Sequence, residues 1–128
     1  MKRPRNGPAT VGSQVFDLLR TASVPARKLF AVIVREAYHG PIHPKVKGTA
    51  TPPEILEACG LDVGEFYLLL EELKRAGLIQ VSNPYPFEEI TLSAASSEAE
   101  TLAERCLNAK IPLEEVFVNL IFSFDQQG

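Results

Sequence analysis

Residues 51–92, TPPEILEACGLDVGEFYLLLEELKRAGLIQVSNPYPFEEITL, constrain the fold more than any other part of the chain. Thr51-Pro52-Pro53-Glu54 has the form of a helix start: a Thr N-cap, prolines where a missing N–H costs little, and a Glu three residues on that can close a capping box. Gly60 is placed to end that short helix. Beyond Leu61, the residues Phe66, Leu69, Leu70 and Leu73 recur at the i, i+3, i+4, i+7 spacing of an amphipathic helix, and Gly77 is placed to stop it. Two helices joined by so few residues must cross rather than run end to end. Residues 78–82 and 88–92 then predict a β-hairpin around Asn83-Pro84-Tyr85-Pro86, whose prolines oppose further pairing.

This pattern resembles a winged helix-turn-helix domain of the broad kind found in drug-resistance and related bacterial regulators. Pro53 to Leu61 (PEILEACGL) is similar to that family's first motif helix and turn. Leu69 to Ile79 (LLEELKRAGLI) is similar to its recognition helix running into the first wing strand, and is the more specific of the two matches. With residues 26–40 as the preceding helix, the resemblance covers about half of the 128 residues. The expected fold is mainly α with a small β-hairpin wing, a winged helix-turn-helix with extra N- and C-terminal helices. The expected organisation is a flexible basic arm at 1–10, the winged-helix unit with its N-terminal helix at 11–95, and a helical assembly element at 96–128.

Outside the motif, residues 1–9 (MKRPRNGPA) are basic and broken by Pro4, Gly7 and Pro8, so no fixed structure is expected there. Such an arm either tracks a phosphate backbone through Arg3 and Arg5 or serves as a solubilising tail. Residues 13–22 can form a short helix with Val15, Leu18, Leu19 and Ala22 on one face, and the resemblance implies dimerisation for it. The next helix starts near Pro25 and buries Leu29, Phe30, Ile33, Val34 and Ala37, leaving Lys28, Arg35 and His39 on a basic stripe. That stripe is open to two readings, a phosphate-contacting edge or a solvated face. Residues 45–50 can add a short strand beside the wing.

Charge is unevenly spread: residues 1–50 carry a net +7, residues 51–92 a net −6 and residues 93–128 a net −4. The expected recognition helix falls in the acidic segment. With its apolar stripe turned inward it presents Gly64, Tyr67, Leu68, Glu71 and Arg75, with Asp62, Val63 and Glu65 at the end that normally meets base edges. Carboxylates brought against phosphates oppose docking, although a single one can accept from a cytosine amino group. At the wing tip Asn83, Tyr85 and Phe87 offer no cation.

The C-terminal third reads as helical. Ser97-Glu98-Ala99-Glu100 has the form of a second capping box, ahead of a stripe of Ala99, Leu102, Ala103, Cys106 and Leu107. Residues 113–124 (LEEVFVNLIFSF) are apolar over most of a helical circumference and so need burial on most sides. Either this is the central helix of a monomer, or one side meets a second copy through Leu113, Val116, Phe117, Leu120 and Phe124.

These features lead to two functional expectations. The first is a DNA-binding transcriptional regulator acting as a homodimer, with Arg3, Arg5, Lys28, Arg35, Val63, Gly64, Tyr67, Arg75 and Asn83 as contact candidates. The alternative is a protein-interaction module using the acidic and apolar face of the same helix, since exposed aromatic anchors suit a protein interface. No phosphate-binding Gly-rich loop, nucleophile constellation or metal-ligand spacing points to an enzyme or a cofactor. His39 and His43 lack neighbouring ligands, and Cys59 and Cys106 read as buried reduced thiols. No apolar run marks a membrane span or a signal h-region, so a cytoplasmic protein is expected.

Overall fold

The computed structural model describes residues 13–39 and 49–120. In chain order the elements are α1 (Ser13–Leu19), α2 (Val24–His39), β1 (Thr49–Ala50), α3 (Pro52–Cys59), α4 (Val63–Arg75), β2 (Ile79–Ser82) and β3 (Glu89–Leu92). A 3-10 turn (Ala94–Ser96), α5 (Ala99–Ala109) and α6 (Leu113–Asn119) follow. The structure is mainly helical with one three-stranded antiparallel sheet in the order β1-β3-β2. Ile79 faces Leu92 and Ser82 faces Glu89 across the hairpin, while Thr49 and Ala50 pair with Thr91 and Ile90 on its other edge.

The motif begins and ends where its local chemistry directs. Thr51 N–H donates to Glu54 Oε1 at 2.9 Å, closing the capping box of α3, and Gly60 terminates it in the left-handed region at φ 71°. Asp62 then caps α4 by accepting from the Gly64 and Glu65 N–H groups, each at 3.2 Å. Phe66, Leu70 and Leu73 are buried and Leu69 is half-buried, as their spacing predicts. Gly77, at φ 82°, follows the end of α4 and lets the chain reverse into β2.

The helix buried on most sides is α2, not the C-terminal one. Residues 29–34 (LFAVIV) are six consecutive buried positions, and α2 packs against α3, α4, α5, α6 and both β1 and β3. Its start is held from three directions. Ser23 Oγ accepts from the Ala26 N–H at 3.3 Å, while the Ser23 N–H and O–H donate to Glu72 of α4 at 2.6 and 3.0 Å. Arg27 Nε donates to the carbonyls of Leu19 and Ala22 at 2.9 and 3.1 Å, and its Nη1 donates to Val118 at 3.0 Å. One guanidinium thus closes the exit of α1 and the last turn of α6 onto α2.

The C-terminal segment departs from expectation in two places. Helix α6 ends at Asn119, with Leu120 at φ 56° turning the chain, so the helix expected over 113–124 is shorter. Its central residues face inward: Phe117 stacks on Phe30 at 5.3 Å between centroids and meets Phe16 edge-on at 6.4 Å, and Val116 and Phe117 are fully buried. Val116 and Phe117 therefore belong to this chain's own core and not to an interface with a second copy. Leu113 and Leu120 are half-buried, and Phe124 lies outside the described residues.

The second expected capping box does not form. Helix α5 begins at Ala99, and Glu98 ahead of it makes no side-chain cap bond. Ser93 and Ser96, which precede the expected box, act across the fold: Ser93 Oγ donates to the Gly77 carbonyl, and buried Ser96 Oγ donates to the Leu78 carbonyl at 2.6 Å. These bonds satisfy the carbonyls exposed where α4 gives way to β2 and tie α5 to that corner. The apolar face of α1 is likewise occupied internally, with Val15, Phe16 and Leu19 fully buried.

Candidate recognition face

Helix α4 and the loop 83–88 present one solvent-facing surface. Their link is Tyr67, a half-buried residue on α4 whose O–H donates to Glu88 Oε2 at 3.4 Å and whose ring meets Phe66 edge-on at 5.0 Å. Burial pushes the Tyr67 phenol above its ordinary value, and the Glu88 carboxylate and the nearby Tyr85 push it in the same direction. Tyr67 is therefore a neutral donor at neutral pH, holding the base of the loop against the helix.

Around this link lie most of the large exposed apolar groups of the described residues. Val63 is 57% exposed, Leu68 74%, Tyr85 77% and Phe87 75%. Carboxylates surround them: Asp62, Glu65, Glu71 and Glu89 are exposed. Of the two cations on α4, Lys74 is paired with Glu71 at 3.5 Å, and Arg75 is exposed at the helix's C-terminal end. Glu72 faces the fold and accepts from Ser23. Asn83 stands exposed at the start of the loop with φ 68°.

The nucleic-acid candidates do not form one surface. Val63, Gly64, Tyr67 and Arg75 lie on α4, and Asn83 on the loop, while Lys28 and Arg35 line a separate cleft beside half-buried Leu69. At 3.6 residues per turn, Tyr67 and Leu69 point to roughly opposite sides of α4. The basic stripe of α2 is thus not positioned beside the Tyr67 surface. Arg35 also forms an ion pair with Glu36 at 3.6 Å. Arg3 and Arg5 lie outside the described residues, as does the rest of the N-terminal arm.

The residues that sequence reasoning missed are Glu88 and Glu72. Glu88 reaches back to Tyr67 across 21 positions. No local pattern signals a contact of that span. Among the described residues no group of three His, Cys, Asp or Glu side chains could hold a metal ion, and no helix is long and apolar enough to cross a membrane. Compared with protein-family models, with curated proteins and with solved structures, the chain matches none.

Proposed function

We propose that this chain is a winged-helix recognition domain that binds a protein partner through the exposed side of α4 and the loop 83–88. The winged-helix reading is supported by the element order from α2 to β3, helix–strand–helix–helix–strand–strand, and by the sheet order β1-β3-β2. The observation that carries the protein reading is the composition of the α4 and loop surface. Exposed Leu68, Tyr85 and Phe87 share it with carboxylates, and the only cation there without an assigned ion pair is Arg75 at one end. Apolar anchors ringed by charge suit a protein interface, whereas duplex DNA demands several cations facing phosphates.

The test is capture by the purified protein from an extract of its source cells, compared with a Leu68→Ser, Tyr85→Ser double variant. A protein retained by the wild type, lost by the variant and rebound when both components are pure supports the reading. Equal retention by both forms places the contact elsewhere. The second reading, DNA binding through the same face, rests on the topology and draws its phosphate contacts from Arg75 and from residues 1–12. Salt-sensitive duplex binding that is lost on Arg75→Ala distinguishes it.

A further inference from the structure

A cleft of about 340 Å³ opens on the side of α2 where α3, α4 and α6 converge. That is within the size range of small-molecule sites, roughly 300 to 1,000 Å³. Leu29, Val32, Leu61 and Leu69 give it an apolar floor, and Lys28, Arg35 and Glu114 supply its charged groups. Lys28 and Arg35 are seven residues apart, so they project from one side of α2 about 10 Å from each other. A neighbouring cavity of about 360 Å³, bordered by Leu107, Ile111 and Leu113, shares Arg35 and Glu114 with the first and also includes Glu36. Arg35 therefore has carboxylates near it, including Glu36 at 3.6 Å, whereas Lys28 stands at the other end of the apolar floor.

The geometry points to a binding site for a small monocarboxylate with an apolar body. Arg35 is already paired with Glu36, so Lys28 is the cation of the cleft with which a single ligand carboxylate pairs. A second negative charge on the ligand would meet Glu114, and a cation would meet Lys28 and Arg35. The apolar body replaces water over Leu29, Val32, Leu61 and Leu69, supplying affinity that the exposed charges alone would not. A ligand seated there touches both α3–α4 turn residues and α4 itself, on the side away from Tyr67. This inference is independent of what the α4 and loop surface recognises.

The experiment is a titration of the isotopically labelled full chain with 1-naphthoate, followed by backbone amide NMR, alongside its neutral analogue 1-naphthamide. The site predicts saturable shifts confined to residues near 28–35, 58–61 and 69, with naphthamide at least about tenfold weaker. Lys28→Gln is expected to weaken naphthoate severalfold, since it removes the cation that meets the carboxylate, and Arg35→Gln to weaken it less, since Arg35 is already paired with Glu36. Ala58→Trp, at an exposed lining position, is expected to block the cleft while leaving the fold intact. Equal binding of the amide, shifts centred on α4's Tyr67 side or the loop 83–88, or no saturable shift at millimolar naphthoate would each overturn the proposal.

Discussion

Gly64 is a residue the fold does not require. It is exposed in the first turn of α4, and a Cβ built there would meet nothing nearer than Asp62 Oδ1 at 3.8 Å, an ordinary contact. Alanine should therefore stabilise α4 by about 0.5–1 kcal/mol through its better helix propensity. Chemical denaturation of Gly64→Ala checks this, and a loss of stability would mean the position is more confined than its geometry indicates. If the α4 surface is the recognition face, the same variant weakens partner binding while raising stability. Glu72 is the opposite case. Glu72→Ala removes two bonds at the start of α2 and is expected to cost about 1–2 kcal/mol, whereas Glu71→Ala, whose partner Lys74 is exposed, should change stability by less than about 0.5 kcal/mol. Cys106 adds a pH dependence. Burial pushes its thiol up to about 11, only partly countered by Arg105, so the folded chain keeps a proton that the unfolded chain releases from about pH 9 upward. Stability from this group is thus full below pH 9 and falls as pH rises towards 11. Comparing Cys106→Ala with the wild type by denaturation across that range should show the smaller loss in the variant.

Among the elements, α3, α4 and the hairpin were legible because their signals are local. A capping box, a glycine after the last helical turn and a 3.6-residue apolar period each operate within a few residues of one another. The central position of α2 was less so. Its LFAVIV run exceeds what one amphipathic face needs, but the more apolar 113–124 segment competed for the same place. What decided between them is a contact across the fold: Phe117 spends its ring on Phe30 and Phe16. The turn ahead of α5 is likewise held by contacts across the fold, since Ser93 and Ser96 find carbonyl partners at Gly77 and Leu78. The packing of α6 makes a further prediction. Phe117→Ala should destabilise the chain by about 3–5 kcal/mol, the usual range for emptying a core aromatic site. Because the ring serves the chain's own core, the loss measured by urea unfolding should not depend on protein concentration. A loss that grows on dilution would instead return Phe117 to an interface between copies.

For the whole molecule, the described elements share one hydrophobic core that extends from α1 through α6. Among the described residues the surfaces are separate: Lys28 and Arg35 border a cleft, while α4 and the loop 83–88 carry exposed apolar groups among carboxylates. That separation could not be read from spacing alone, because it depends on which side of α4 packs against α2. It is also what supports our proposal of a protein partner. The measurement that tests this most directly is fluorescence anisotropy of a labelled mixed-sequence duplex titrated with the full chain at about 50 and 200 mM salt, where electrostatic binding is strongest and then sharply reduced. The account predicts no saturable binding at either salt concentration. Binding at low salt that collapses at high salt, and that weakens on Arg75→Ala but not on Lys28→Ala, would contradict it and make the α4 surface a DNA-binding one.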